Sequence, residues 1–365
     1  MKVVTVVGAR PNFVKVAPLV EAFRLHGITQ YLVHTGQHYD REISGLLFED
    51  LGLPEPDINL GVKSGSHAQQ TAEIMRRFEP VLEQERPNMV VVVGDVNSTI
   101  ACALVAVKMN IPVAHVEAGL RSFDRSMPEE INRILTDAIS DLLFASEPSA
   151  VENLTREGTA SERIHLVGNV MIDTLLRHCD RARCLPTLET LGLKNGAGPV
   201  PFAMVTLHRP SNVDSPIELR RWLEALRELN RRVPVIFPIH PRTQRQIAAH
   251  HLERLLDGIR STGPMGYLEF LGLLSHAALV VTDSGGIQEE TTALGIPCLT
   301  VRDSTERPIT LHVGSNRLVG SDPQKMLSAA HEVLDGKAPR GRIPDLWDGG
   351  AAERIAQVIA CQNLA

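Results

Sequence analysis

Ser284, Gly285 and Gly286 stand between an apolar run, 278–281, and an amphipathic stretch that begins at Ile287. Read as strand, turn and helix, they put small residues and backbone N–H groups at a helix N-terminus, where the dipole favours a phosphate. Glu290, about one turn into that helix, is placed to accept hydrogen bonds from sugar hydroxyls. A strand, a phosphate-cradling turn and an acid behind it point to a nucleotide diphosphate, and from there to a nucleotide sugar.

Other polar clusters follow apolar runs in the same way. Gly8-Ala9-Arg10-Pro11 follows the first run, with Lys15 in the next helix. These cations fit diphosphate neutralisation or ordinary surface ion pairs, and spacing does not decide between them. Asp95, in Gly94-Asp95-Val96-Asn97, reads first as an N-cap for the helix after it. Glu117 ends a buried run between Val116 and Ala118, so it needs a partner, or its pKa rises toward the range useful for acid–base work. Glu129 and Arg133 open a helix, where first-turn acids ordinarily serve the dipole. His208 stands beside Arg209 at a strand end, a pair that suits an anion, and His240 repeats the pattern. Phe270 reads as core. No metal-ligand spacing occurs among the histidines, and the HExxH, GxSxG, Walker A and GxGxxG patterns are absent from the sequence.

The elements that must position these residues are short Val- and Ile-rich runs alternating with amphipathic stretches. Strands are predicted at 3–7, 31–34, 90–93, 113–116, 142–145 and 165–167, and a second series at 203–207, 235–239, 279–282, 298–301 and 317–319. The runs are continuous rather than alternating, as parallel strands covered on both faces require. That predicts α/β architecture with open, doubly wound sheets, whose ligands bind outside the carboxyl ends of the strands. A chain of 365 residues is long for one core and predicts two domains. The Pro- and Gly-dense segment 184–201 is the best linker candidate, and 351–359 reads as a last amphipathic helix.

Net charge is −6 with dispersed Lys and Arg, and aromatics are 4%, which argues against a nucleic-acid footprint. Five cysteines without a CxxC pair fit a reducing cytoplasm. No apolar run reaches membrane-spanning length.

Taken in order, Gly8-Ala9-Arg10-Pro11, Gly94-Asp95, His115-Val116-Glu117-Ala118-Gly119-Leu120-Arg121, Pro128-Glu129-Glu130-Ile131-Asn132-Arg133, Thr282 to Glu290 and Asp303-Ser304-Thr305-Glu306-Arg307-Pro308 resemble the non-hydrolysing UDP-N-acetylglucosamine 2-epimerase family. The match is collinear from Lys2 to the last helix. The resemblance implies two Rossmann-like domains, 1–170 and 171–350, in a GT-B-type arrangement with the site in the interdomain cleft and the helix from 351 onward packed back on the first domain. It implies reversible conversion of UDP-N-acetylglucosamine to UDP-N-acetylmannosamine without metal or nicotinamide, in a homodimer. By motif, Asp95, Glu117, Glu129 and His208 would be catalytic. Arg10, Lys15, Arg133, His240, Phe270, Ser284, Gly285, Gly286, Glu290 and Arg307 would bind the nucleotide sugar.

The chemistry explains the set. The C2 hydrogen is not next to a carbonyl, so loss of UDP from C1 must acidify it, through a glycal intermediate that is re-protonated on the opposite face. That needs carboxylates at C2 and cations on the departing diphosphate. Asp95 and Glu117 would move the proton, Glu129 would support them, and His208 would stabilise the diphosphate. The chain departs from the family pattern at His208-Arg209-Pro210-Ser211, which lacks a second Arg, at Met265, and at Gln37-His38-Tyr39-Asp40-Arg41-Glu42. The first two open a UDP-2,3-diacetamido-uronic acid as substrate, and the third argues against activation by substrate at a regulatory site. A glycosyltransferase of the same architecture, a hydrolysing epimerase and a non-catalytic sugar-nucleotide binder are the rival readings. The glycosyltransferase would have no use for acids at both 95 and 117.

Overall fold

The structure, a computed structural model, describes residues 1–36, 47–195 and 198–362, with the side chain of Arg10 outside that description. The chain forms two compact units, Met1–Thr174 with Asp345–Ala365, and Leu175–Pro344.

The first unit is built on a seven-stranded parallel sheet. Its strands are β1 (Lys2–Val7), β2 (Thr29–His34), β3 (Ile58–Asn59), β4 (Met89–Val93), β5 (Val113–Ala118), β6 (Leu142–Ala145) and β7 (Ile164–Leu166). They lie in the order β3-β2-β1-β4-β5-β6-β7. The order reverses between β1 and β4, which makes a crevice outside their carboxyl ends. β-branched side chains crowd these strands because both faces are covered by helices. Val90, Val91 and Val92 are fully buried, for example, and β4 packs with Ile74, Phe78 and Leu82 of the helix His67–Glu85.

The C-terminal helix Ala351–Ala360 belongs to this unit. It packs on the helix Arg10–Leu25, where His26 and Glu353 lie 2.7 Å apart. Its first turn is capped from a distance, since the buried carboxylate of Asp173 accepts from the Ala351 and Ala352 amides at 3.2 and 2.7 Å.

The second unit opens with the short antiparallel pair β8 (Lys194–Asn195) and β9 (Gly198–Pro199). Its main sheet comprises β10 (Ala203–Thr206), β11 (Val235–Pro238), β12 (Arg260–Thr262), β13 (Leu279–Thr282), β14 (Cys298–Thr300) and β15 (Asn316–Leu318). They run parallel in the order β12-β11-β10-β13-β14-β15, so the order reverses between β10 and β13. Both units are therefore doubly wound Rossmann-like folds, as the continuous apolar runs predict.

The structure differs from the sequence reading in its short strands and in its linker. β3 and β12 were not expected, because they are short edge strands with Asn59, Arg260, Ser261 and Thr262 in place of a Val-rich run. The segment 184–201 is not a linker. The chain crosses between units within the helix Val170–Arg183 and again at Pro344. Leu188 and Leu193 are buried in the second unit's core with Phe202 and Met204, so the Pro and Gly residues turn the chain inside a domain. No helix among the described residues is long and apolar enough to cross a membrane.

Candidate active site

At the first switch point the loop after β1 is fastened to the end of β4 by one residue. Asn12, buried, accepts from the Ala9 amide at 3.0 Å and donates to the Val93 carbonyl at 2.8 Å. The helix that begins at Arg10 delivers Lys15 to the end of β5, where its ammonium pairs with Glu117. Both side chains are buried, so this is not a surface ion pair. The Glu117 backbone has φ +72°, and the β5–β6 register shifts around it. A non-glycine residue in that region, at a bulge, is strained backbone that re-aims a side chain toward the end of the sheet. Gly94 forms the floor, since a Cβ there would stand 3.3 Å from both the Lys15 ammonium and the Asn12 amide nitrogen.

Asp95 is not the expected N-cap. The helix Asn97–Lys108 has Val96 at that position with no side-chain cap, and the Asp95 carboxylate instead accepts from Arg133 at 2.6 Å. Asp95 stays about a quarter exposed, while Arg133 is buried. Arg133 is fixed in turn by Glu130, which accepts its Nε and Nη2 at 3.0 and 2.8 Å and also the Ser122 and Phe123 amides at 2.9 and 2.8 Å. Burial opposes charge on Glu130, but the bonds from Ser122 and Arg133 prevail and hold the carboxyl below its ordinary range. Glu129, next to it in the first turn of Pro128–Ile139, is half-buried and carries no ion pair among the described residues. Of these two adjacent acids, Glu130 is the one that ties the loop at Ser122 and Phe123 to Arg133.

His115, one strand in, lies with Nδ1 at 2.6 Å from Asp137 and Nε2 at 2.8 Å from the Gly94 carbonyl. Asp137 also accepts from the Gly119 amide at 3.0 Å and pairs with Arg121 at 2.7 Å. Burial opposes its charge, and the interactions with His115 and Arg121 overcome that and keep its pKa low. This network ties the loops on either side of Glu117. Sequence reading quoted His115, Gly119 and Arg121 only within a motif and missed Asp137, although an Asp in a helix stretch that must face a sheet is a signal of such a tie.

In the second unit His208 ends β10 beside the SGG turn. Its Nδ1 lies 2.8 Å from the fully buried Asp283, and its side chain is 38% exposed. His240, exposed at the end of β11, accepts the Arg242 amide on Nδ1 at 3.1 Å, and the two rings lie 5.4 Å apart. Ser284 begins the helix Gly285–Leu294, which has no side-chain cap and no acid in its first turn. Such an end suits an anion. Gly285 leaves room for the Glu306 carboxylate, since a Cβ there would stand 2.8 Å from it and force it to shift. Arg307 is buried between Glu289, at 3.2 Å, and Glu306, at 3.3 Å. Glu290 is buried too, and desolvation, with the charge of Glu289 added, pushes its carboxyl up to about 8. Phe270 is half-buried against the core cluster of Leu273 and Leu274. Residues 37–42, the segment of the third sequence departure, lie outside the described residues. Among the described residues no three His, Cys, Asp or Glu are grouped to hold a metal ion.

The structure thus brings Lys15, Asp95, Glu117 and Arg133 to one end of the first sheet, and His208, His240 and the SGG turn to one end of the second. Two Rossmann-like units, one ending in carboxylates held by cations and the other in an anion-cradling turn, define an α/β nucleotide-binding enzyme. A sequence profile of UDP-N-acetylglucosamine 2-epimerase matches residues 21–360. The chain is 41% identical to the UDP-N-acetylglucosamine 2-epimerase of Methanocaldococcus jannaschii, over 98% of this chain and 99% of that one. It is 42% identical to the UDP-2,3-diacetamido-2,3-dideoxy-D-glucuronate 2-epimerase of Pseudomonas aeruginosa, over 99% of each. The crystal structure of the M. jannaschii enzyme in complex with UDP-GlcNAc and UDP superposes with a TM-score of 0.90 at 40% identity, covering 99% of this chain and all (100%) of that one. That of the Neisseria meningitidis UDP-GlcNAc 2-epimerase bound to UDP-GlcNAc gives 0.88 at 28% identity, covering 99% and 100%. The chain belongs to the UDP-N-acetylglucosamine 2-epimerase family, and it is an epimerase.

Proposed function

We propose that the enzyme interconverts UDP-N-acetylglucosamine and UDP-N-acetylmannosamine by losing and re-adding UDP across C1 and C2. The observation that carries this reading is the arrangement of Glu117 and Asp95. Two carboxylates stand at adjacent strand ends, one on strained backbone beside a buried lysine and the other partly exposed beside a buried arginine. A glycosyltransferase has no use for that pair, whereas proton removal and return on opposite faces of C2 needs two groups.

In this mechanism the C1–O bond breaks and its electron pair passes to the β-phosphate oxygen, while one carboxylate takes the C2 proton. The other carboxyl group, present as the acid, gives its proton to C2 of the resulting 2-acetamidoglucal from the opposite face, and UDP adds back to C1. Lys15 and Arg133 orient the two carboxylates, and Glu129 supports them. Arg10, His208, His240 and the amides of Ser284, Gly285 and Gly286 take the charge of the diphosphate. Glu290 and Phe270 hold the nucleoside, and Arg307 braces the turn. We further propose that the two units are the N-terminal and UDP-binding domains of a cytoplasmic homodimer.

A second reading is the same chemistry on a UDP-2,3-diacetamido-uronic acid, favoured by the P. aeruginosa relative of that name at 42% identity. Separate incubation of the purified protein with each UDP-sugar, followed by chromatography of the products, tests both. Formation of the C2 epimer of UDP-N-acetylglucosamine alone supports the first reading. Turnover of the uronic acid alone transfers the proposal to that substrate, and turnover of neither refutes both.

A further inference from the structure

The carboxylate of Asp283 is fully buried and surrounded by N–H donors. Its Oδ2 accepts the His208 and Arg209 amides, each at 2.9 Å, and the Asn212 side-chain amide at 3.0 Å. Its Oδ1 faces the Nδ1 of the His208 ring at 2.8 Å. Burial disfavours charge on this group, but the bonds from His208, Arg209 and Asn212 outweigh it and keep the carboxyl ionised well below neutrality. An ionised carboxylate can only accept, so the ring must donate from Nδ1 whether it is neutral or charged. The neighbouring histidine is set the other way. His240 accepts the Arg242 amide on Nδ1, so its neutral form keeps the proton on Nε2. Two histidines with ring centroids 5.4 Å apart are thus locked in opposite tautomers by their own scaffolds.

We propose that Asp283 is a positioning residue for the reaction: it holds Nδ1–H of His208, so that Nε2 is the ring nitrogen offered to the departing diphosphate. This rests on the role given to His208 above. As the C1–O electron pair moves onto the β-phosphate oxygen, the imidazolium form donates Nε2–H to it, and the Asp283 charge stabilises that cation. No proton need be transferred. The acid immediately before a phosphate-cradling turn, where a bare negative charge would repel the ligand, is explained because its charge is spent on the ring and the amides.

The test combines kinetics with nitrogen-15 NMR of the histidine rings of the full chain. In the wild-type protein above the histidine titration, His208 is expected as the Nδ1–H tautomer and His240 as Nε2–H. An Nε2–H tautomer at His208 would overturn the proposal without any variant. Asp283→Asn is expected to lower kcat about 100-fold with KM within about threefold, and to shift the His208 proton toward Nε2. Added to His208→Asn, it should cost no further activity, because both act through one ring. A second, independent loss in the double variant would make Asp283 a structural residue only. Wild-type kcat in His208→Asn would overturn the role of His208 itself. A large loss in His208→Asn with near-normal kcat in Asp283→Asn would overturn this proposal alone.

Discussion

The two units share one strand order, reversed between β1 and β4 in the first and between β10 and β13 in the second, and present opposite chemistry at the carboxyl ends. In the first unit the strand ends carry two carboxylates, Asp95 and Glu117, each paired with a buried cation. In the second the acids Asp283, Glu289 and Glu306 lie underneath with the buried Arg307, and what they present is a histidine and an uncapped helix N-terminus. On the proposed mechanism a single scaffold supplies a proton-handling end and an anion-holding end, with the difference lodged in a few residues after each strand. Each unit also spends buried charge on positioning. Removing one partner of such a pair leaves the other uncompensated, so these residues should respond steeply to substitution.

The sharpest way to break the comparison is to separate the two functions. Glu117→Gln is expected to lower kcat about 1000-fold while UDP affinity, measured by calorimetry, stays within about threefold of wild type. A comparable loss of UDP binding would mean that the first unit is not specialised for the proton. Gly285→Ala should do the reverse. The added methyl must displace the Glu306 carboxylate 2.8 Å away, so UDP affinity is expected to fall by about tenfold to 100-fold, with the melting temperature showing whether the fold persists.

A smaller effect concerns the scaffold. Asp173→Ala removes the acceptor for two amides of the helix Ala351–Ala360 and should destabilise the first unit by about 1–2 kcal/mol in denaturant unfolding. A further effect is a pH dependence in the second unit. Glu290 has an ordinary value of 4.5 and is raised to about 8 in the fold. Between those values the folded protein keeps a proton that the unfolded chain has lost, so this residue makes stability fall as pH rises through that window. Glu290→Gln cannot ionise and should flatten the decline of melting temperature between pH 5 and about 8. An unchanged slope would show that Glu290 is not the group responsible.

The parts of the molecule legible in its sequence are those fixed by local pattern. The eleven expected strands all occur within a residue or two of their predicted ends, because a parallel strand buried on both faces must be a continuous apolar run. β3 and β12 escaped because an edge strand has no such requirement. The segment 184–201 was misread because Pro and Gly mark turns, and a turn inside a domain looks like one between domains until the burial of Leu188 and Leu193 is seen.

Candidate site residues were findable by type at strand ends, but their partnerships were not. Asp95 meets Arg133, and Asp283 meets His208, only because strand order brings distant loops to one edge. The same blindness hid the role of Glu130, since only the folded loop reveals which acid is consumed by the Ser122 and Phe123 amides.

The central claim, that carboxylates of the first unit exchange the C2 proton, is tested most directly by proton NMR in deuterium oxide. With UDP-N-acetylglucosamine and wild-type protein, deuterium should enter C2 of both epimers as they interconvert, and Asp95→Asn or Glu117→Gln should abolish that exchange. Epimers that interconvert with hydrogen retained at C2, or exchange at the wild-type rate in both variants, would contradict the account.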